Sequence, residues 1–148
     1  MMQADDLRLT FNPGTPIENP ALRGISLRIE EGEFVTVIGT NGAGKSTFLN
    51  TIAGTIRVDS GKISLNGIDV TKKTAHQRAH WVARVFQDPM AGTCEGLTIE
   101  ENMALAYKRG ESRFLKGALN AKNRELFREK LSILKLNLEN RLTDRMGL

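Results

Sequence analysis

The 148-residue chain has a single cysteine, Cys94. One cysteine cannot form a disulfide within the chain or a thiolate metal site, which suits a reducing compartment. The only two histidines, His76 and His80, have no partners at metal-ligand spacing, so we expect ordinary surface or hydrogen-bonded histidines. No stretch approaches the ~20 apolar residues of a membrane-spanning helix. The acidic residues 1–6 also lack the apolar core of a signal peptide, and we therefore expect a soluble protein.

Aromatic residues are scarce, at 5% of the chain, and the positive charge is unevenly distributed. Residues 1–107 carry 10 basic and 12 acidic side chains, net −2, whereas residues 108–148 carry 11 and 5, net +6. Only Phe114 and Phe127 lie near the basic cluster of this last quarter, too few for stacking on nucleic-acid bases. We therefore expect a solvated or membrane-proximal face and no nucleic-acid partner. The cluster consists of Arg113, Lys116, Lys122, Arg124 and Arg128.

The segment 39–47 reads G-T-N-G-A-G-K-S-T and fits G-x-x-x-x-G-K-[ST], the phosphate-binding loop or P-loop. An apolar stretch at 34–38 predicts a buried strand leading into the loop. The pattern over 46–53 predicts a helix leading out of it and ending at Gly54. This strand–loop–helix order is the context in which the motif binds phosphate.

The residue types of the P-loop predict a site for a nucleotide with Mg²⁺. Glycines let the backbone turn tightly and direct successive N–H groups toward one phosphate, at the positive end of the following helix. Lys45 can reach the β- and γ-phosphates, the Ser46 hydroxyl can ligate Mg²⁺, and Thr47 lies beside the α-phosphate. The predicted nucleotide-binding residues of the loop are Gly39, Thr40, Asn41, Gly42, Ala43, Gly44, Lys45, Ser46 and Thr47.

Alternation of apolar and polar residues predicts further strands on both sides of the P-loop. Two strands, at 7–11 and 22–29, precede it. A hairpin of strands 62–65 and 68–70 follows, turning at Asn66-Gly67. Trp81–Phe86 reads as a last strand, which ends at Gln87.

Capping patterns predict the remaining helices. A short helix is expected over 74–78. Thr98 with Glu101 forms a capping box for a helix that runs to about Lys108. Residues 120–135 show a helical apolar face with basic residues outside it. This apolar face consists of Leu126, Phe127, Leu131, Ile133 and Leu134.

These motifs, in this order, resemble the first half of the ATP-binding subunit of an ABC transporter. The P-loop filling at 41–44, N-G-A-G, is the one that this family favours. Ahead of it lies I-S-L-R-I-E-E-G-E at 25–33, similar to the family's paired strand and glycine turn. Behind it lie the hairpin of 59–67, V-F-Q-D-P at 85–89, similar to the family's Q-loop, and L-T-I-E-E-N-M at 97–103.

The resemblance implies an α/β fold: the P-loop NTPase core of an ABC ATPase, with an antiparallel β subdomain and part of a helical subdomain. It places the nucleotide-binding core at 1–97 and the start of the helical subdomain at 98–148. The family's apolar strand ending in Asp-Glu (Walker B), its L-S-G-G-Q signature and its switch histidine are not found, and 142–148 resembles the segment that precedes the signature. We therefore expect an incomplete fold that is inactive by itself, from a full-length ATP hydrolase.

The family's roles transfer to particular residues of this chain. Phe11 occupies the place of the aromatic residue that stacks on adenine, although it also reads as a core residue at a strand end. Lys45 and Gln87 are the catalytic candidates, and Gln87 would also reach Mg²⁺ and the attacking water. Alternatively, Gln87 is simply a polar residue at the end of a strand. The loop 88–97 would face a membrane-spanning permease, and Cys94 within it reads as incidental.

The resemblance implies a cytoplasmic subunit, peripheral on the inner face of the cell membrane, that couples ATP binding and hydrolysis to transport. ATP would lie between two such subunits, and a separate soluble subunit points to a bacterial importer. Two alternatives stay open. One is an ABC ATPase of translation or DNA repair, and the other is an unrelated P-loop kinase.

Overall fold

The computed structural model describes residues 1–111 and 117–146, apart from the side chain of Pro89. Within them the chain forms two compact units, Met1–Ala83 and Arg84–Leu148, each with its own apolar core. The functional division predicted after residue 97 stays a prediction, because compact packing alone does not define a functional subdomain. Of the basic cluster and its neighbours, Arg113, Phe114 and Lys116 lie outside the described residues, as do 147–148 of the predicted tail segment.

The first unit contains four strands, β1 (Met2–Phe11), β2 (Asn19–Ile29), β3 (Ser60–Leu65) and β4 (Ile68–Asp69). They form an antiparallel sheet with the order β2-β1-β3-β4. Strand β1 begins before its predicted start at residue 7, because Met2 already pairs with Ile29 of β2 on one side and with Leu65 of β3 on the other. The predicted hairpin turn is confirmed: Asn66 and Gly67 both have positive φ, 49° and 77°, as a two-residue hairpin turn requires.

Helix α1 (Lys45–Ala53) packs on this sheet. Its Phe48 is buried in one cluster with Leu7 of β1 and Ile63 of β3. The helix ends where the sequence predicted, at Gly54, whose φ of 80° is left-handed and whose N–H bonds back to the last turn. The apolar side of α1 therefore fixes the helix, and the P-loop ahead of it, to the antiparallel sheet.

A buried arginine holds the C-terminal end of α1. Arg78 closes the short helix α2 (Ala75–Arg78), whose Thr74–Gln77 capping box is formed, and it is only 1% exposed. Burial lowers the pKa of its guanidinium, which stays protonated because the pKa of arginine is normally so high. Two of the carbonyls that it bonds belong to the last turn of α1. The guanidinium donates to the carbonyl oxygens of Thr51 (2.6 Å), Ile52 (2.8 Å), Thr71 (3.1 Å) and Lys73 (2.9 Å).

Two predicted strands are wrong for the described residues: 34–38 and Trp81–Phe86 have irregular backbone and pair with no strand. Phe34 is 95% exposed and Val85 is 99% exposed. A strand requires a neighbour for its N–H and C=O groups, and an all-apolar strand requires cover on both faces. The apolar pattern identified the hydrophobic character of these segments, but among the described residues no strand lies alongside them.

The second unit contains the helices α3 (Ile99–Tyr107) and α4 (Ala121–Ser132) and two 3₁₀ turns, Pro89–Gly92 and Leu138–Asn140. Phe127 and Leu131 of α4 are buried in its core, as predicted. The predicted apolar face is too long, because α4 ends at Ser132. Ile133 and Leu134 follow the helix and are 67% and 54% exposed.

Two parts of the chain supply hydrogen-bond acceptors to the N–H groups at the start of α3. The predicted capping box is confirmed, since Glu101 N–H donates to Thr98 Oγ1 and Thr98 N–H donates to the Glu101 carboxylate. The carbonyl oxygens of Leu142 and Asp144 accept from the first amides of the helix, each at 2.9 Å. The segment near the end of the described chain therefore supplies acceptors that a helix start needs.

A two-point ion pair joins the helices of this unit. Arg124 of α4 donates from Nε (2.7 Å) and Nη2 (3.1 Å) to the carboxylate of Glu100 on α3, which is buried. Arg128 reaches Glu125 at 3.5 Å on the exposed side of α4. Two members of the predicted basic cluster thus have carboxylate partners, which reduces the net positive charge of this helix face.

We expect the capping box of α3 to make the second unit sensitive to acid. Hydrogen bonds from Thr98 lower the pKa of Glu101. The ionised carboxylate therefore stabilises the unit above the unfolded pKa of about 4.3, and this contribution is lost as pH falls through the lower folded pKa. Glu101→Gln can still cap the helix but cannot titrate. Its Tm should fall less than that of the wild type between about pH 5 and about pH 3. Thermal denaturation at matched pH tests this, and equal losses of Tm would contradict it.

Candidate functional site

The P-loop adopts a backbone that glycine permits. Gly42 and Gly44 have φ of 83° and 86°, and Gly44 is the N-cap residue of α1. The N–H of Ala43 donates to the carbonyl of Thr40 at 3.2 Å and closes a turn within the loop. A Cβ at Gly44 would lie 2.6 Å from the backbone oxygen of Ala21. The loop therefore turns in contact with the start of β2, which only a residue without a side chain allows.

Lys45 lies across the loop that precedes it. Its Nζ donates to the carbonyl oxygens of Gly39 at 2.6 Å and of Thr40 at 2.7 Å. An ammonium group has three N–H donors, so one remains for a further acceptor. Because Lys45 is half-buried, its charge is screened less than that of a surface lysine. The two hydrogen bonds therefore hold one positive charge against the backbone at the start of the P-loop.

The first turn of α1 adds further donors. The first intrahelical bond runs from Phe48 N–H to the Gly44 carbonyl at 2.8 Å. The amides of the three preceding residues, 45–47, have no acceptor within the helix and lie at its positive end. The hydroxyls of Ser46 and Thr47 belong to this same turn. Amides, hydroxyls and one ammonium group together suit a phosphate and a hard cation such as Mg²⁺.

A cavity of about 320 Å³ opens beside these groups. Phe11, at the end of β1, forms part of its wall and so is brought to the P-loop, as the resemblance implied. Phe11 also packs against the core of the first unit, so its ring contacts both the core and the cavity. Asn19 and Ala21, which the sequence did not single out, line it as well. The P-loop residues lining it are Asn41, Gly42, Ala43, Gly44, Lys45, Ser46 and Thr47.

Gln87 and the loop after it belong to the second unit. Gln87 is exposed and lies on irregular backbone instead of at a strand end. Asp88 accepts from the N–H of Met90 at 2.9 Å and begins the 3₁₀ turn of the loop. Cys94 carries an exposed free thiol. The catalytic and metal-binding roles of Gln87 stay predictions.

The described residues, 1–111 and 117–146, contain neither a membrane-spanning helix nor a cluster of metal-ligating side chains. No helix among them is both long and apolar enough to cross a membrane. No cluster of three or more histidine, cysteine, aspartate or glutamate side chains among them could hold a metal ion. His80 instead meets Trp81 edge-on, with ring centroids 5.6 Å apart.

We expect the two left-handed glycines of the P-loop to differ in what they tolerate. Alanine at either position is strained by about 1–2 kcal/mol, because φ is positive. Gly44→Ala also drives a methyl group into the Ala21 carbonyl, whereas no described atom lies within 4 Å of a Cβ at Gly42. Gly44→Ala should therefore lower the free energy of unfolding by about 1–3 kcal/mol more than Gly42→Ala. Urea denaturation of both variants measures the difference, and equal losses would show that the contact with Ala21 is unimportant.

Comparison of the sequence with known proteins places these features in a family. The family model described as ABC transporter matches residues 22–146. The tyrosine transport ATP-binding protein of Clostridioides difficile is 44% identical over 128 residues, covering 85% of this chain and 50% of that protein. The energy-coupling factor transporter ATP-binding protein EcfA2 of Clostridium acetobutylicum is 37% identical over 105 residues, covering 70% of this chain and 36% of that protein. The chain thus spans half or less of the length of these relatives.

Solved structures give the same assignment. The ATP-binding cassette MJ0796, in a dimeric post-hydrolysis state bound to ADP and phosphate, superimposes with a TM-score of 0.75 at 26% identity, covering 99% of this chain and 62% of that one. A nucleotide-free ATP-binding cassette from an ABC transporter gives a TM-score of 0.69 at 26% identity, covering 99% and 58%.

These matches confirm the predicted fold class, that of an ABC ATPase cassette with a P-loop, of which this chain covers part. They exclude the alternative of an unrelated P-loop kinase. The match at 22–146 includes both the P-loop and the Q-loop-like segment. The chain belongs to the ABC transporter family of ATP-binding proteins.

Proposed function

We propose that the protein containing this chain is an ATPase subunit that couples ATP binding and hydrolysis to transport across a membrane. The observation that carries the proposal is the cavity in which the P-loop, Lys45 and Phe11 meet. Different parts of the cavity wall suit the two ends of ATP, the phosphates and the base. The P-loop offers cationic and amide donors to the phosphates, while Phe11 offers an aromatic face to the base.

Each group has a specific task in this proposal. Lys45 holds the β- and γ-phosphates, and the free amides of the first turn of α1 hold the β-phosphate. The Ser46 hydroxyl would hold Mg²⁺, which it fits as a hard oxygen ligand that lines the same cavity. Mg²⁺ neutralises the charge that develops on the phosphate oxygens during hydrolysis. Gln87 is proposed as a second metal ligand that also orients the attacking water.

We infer that the transporter is an importer of amino-acid-type substrates. Two relatives support this class by name. The tyrosine transport protein is one, and the probable branched-chain amino acid transport protein LivG of Archaeoglobus fulgidus, 38% identical over 58% of this chain and 33% of that protein, is the other. An uptake assay with labelled amino acids on a strain lacking the gene would test the substrate class directly.

The proposed partners are a second ATPase subunit and a membrane-spanning permease. The dimeric state of the MJ0796 cassette supports the first. For the second, we propose the loop 88–97, much of which is exposed, as the contact surface. The protein would then be peripheral on the cytoplasmic face of the membrane.

We also propose that these 148 residues bind Mg-ATP weakly and do not turn it over. Hydrolysis requires a second carboxylate for the metal and a residue that positions water. No apolar strand ending in Asp-Glu occurs in the sequence, nor does an L-S-G-G-Q motif. The chain thus supplies the P-loop side of a nucleotide site, and the remaining groups would come from elsewhere.

Calorimetric titration of the full-length protein with ATP tests the nucleotide site. We expect binding to be tighter with Mg²⁺ than with a chelator, because the ion bridges the phosphates and Ser46. Ser46→Ala should lose most of this magnesium dependence, whereas Ser64→Ala, on β3, should keep it. If the wild type released no heat with ATP or ADP in the presence of Mg²⁺, the proposed function would be wrong.

A further inference from the structure

One side chain attaches the loop before α3 to that helix. The Oδ1 of Asn102 accepts from the N–H of Cys94 at 2.8 Å, and its Nδ2 lies 3.0 Å from the Cys94 carbonyl oxygen. The amide therefore bonds both backbone groups of a single loop residue. The same Nδ2 is 3.4 Å from the carbonyl of Leu97 and 3.0 Å from that of Thr98. Both polar atoms of Asn102 are thus engaged by backbone between 94 and 98.

The loop has little regular structure, and the other backbone bonds that hold its end run from the Leu97 N–H to the Cys94 carbonyl (3.0 Å) and from the Met146 N–H to the Leu97 carbonyl (3.1 Å). Between the 3₁₀ turn Pro89–Gly92 and the start of α3, no helix or strand is formed. Cys94, Glu95 and Gly96 are all exposed. An exposed segment with few packed apolar groups opens readily unless something else fixes it.

The same contact also shapes the surface beside the loop. An apolar cavity of about 480 Å³ in the second unit is lined by Gly92 and Thr93 from the loop, and by Asn102 and Met103 from α3. One wall of this cavity comes from the loop and another from the helix. Holding Cys94 to Asn102 therefore holds the two walls at a fixed separation.

We propose that Asn102 is a positioning residue that keeps the loop 88–97 in the conformation in which it meets the permease. This inference rests on the proposed function, which assigns the loop to that contact. Asn102 itself makes its bonds inside the second unit, so it acts through the loop and not on the nucleotide. Loss of the amide should leave α3 intact, because the capping box of Thr98 and Glu101 is separate from it.

The first test measures the attachment itself in this chain. Asn102→Leu has a similar branched shape but can neither donate nor accept, so the loop should detach while the side chain still fills space. We expect amide hydrogen exchange at Cys94 to become about fivefold faster or more, and maleimide labelling of its thiol to quicken. Asn120→Ala is the matched control, since it removes the cap that accepts from Asn123 N–H in α4 and leaves the loop untouched. Unchanged exchange in Asn102→Leu, or equal acceleration in the control, would overturn the proposal.

The second test measures the consequence in the full-length protein reconstituted with its permease in lipid vesicles. We expect Asn102→Leu to lower the kcat of permease-stimulated ATP hydrolysis about tenfold while the KM for ATP stays within about twofold. A purely structural role would change both constants or neither, and either result would overturn the positioning role. If the permease did not stimulate the wild type, the proposed function would fail. The attachment of the loop would still be decided by hydrogen exchange.

Discussion

Lys45→Ala in the full-length protein is expected to lower ATP hydrolysis by about 100-fold or more. The ammonium group is the one cation that the described residues place on the wall of the P-loop cavity. Two of its donors are fixed by Gly39 and Thr40, so the charge is held in place before any ligand arrives. Groups positioned in advance contribute most where phosphate charge develops. Steady-state ATPase assays measure the loss.

Lys62→Ala is the matched control for this variant. Lys62 lies on β3, is exposed, and its Nζ is 3.8 Å from Asp69 across the hairpin. An exposed ion pair of this kind contributes little. We expect ATP turnover by the Lys62→Ala variant to stay within about twofold of the wild-type rate. Similar rates for the two variants would show that the position of the Lys45 charge is unimportant.

Arg78→Ala is expected to lower the free energy of unfolding of the first unit by about 3 kcal/mol. The substitution removes the guanidinium donors from four backbone carbonyls, of which that of Thr51 still accepts from the Gly54 N–H at 3.2 Å. It also opens a cavity where a long side chain was almost fully buried. Each buried carbonyl without a partner costs about 1–3 kcal/mol, less where water can enter. Urea denaturation followed by circular dichroism would measure the change.

Two further variants separate the causes of this destabilisation. Arg57→Ala removes an exposed arginine from the same unit, and we expect a loss below about 0.5 kcal/mol. Arg78→Lys keeps the charge, but its single nitrogen cannot reach all four carbonyls that the three guanidinium nitrogens bond. The free energy of unfolding of Arg78→Lys should lie between those of the wild type and Arg78→Ala. A loss for Arg78→Ala no larger than that for Arg57→Ala would contradict the capping role.

Local sequence patterns were sufficient to predict the structure wherever it is determined by residues that are close together in the chain. The hairpin at Asn66-Gly67, the end of α1 at Gly54 and the capping box of Thr98 and Glu101 all formed as predicted. Each depends on φ preferences or on hydrogen bonds between residues at most four positions apart. The P-loop belongs to the same class, because its glycines and the helix that follows are contiguous in sequence.

Patterns that require a distant partner were less reliable. The apolar stretch at 34–38 has the composition of a buried strand, yet it pairs with no described strand. Likewise, periodicity extended α4 past its end to Ile133 and Leu134, which are exposed. Hydrophobicity indicates that a segment is suited to burial. Whether it is buried depends on what packs against it.

The amino-acid sequence by itself determined which donors the P-loop can offer to a ligand, since these follow from the identities of Gly44, Lys45 and Ser46. Only the tertiary structure decided which distant residues join them. It brought Asn19 and Ala21 to the P-loop cavity beside Phe11, buried Arg78 at the end of α1, and placed the amide of Asn102 on the backbone of Cys94. Such contacts link residues from eight to almost 30 positions apart. They depend on how helices and strands pack, for which no short stretch of sequence carries a signal.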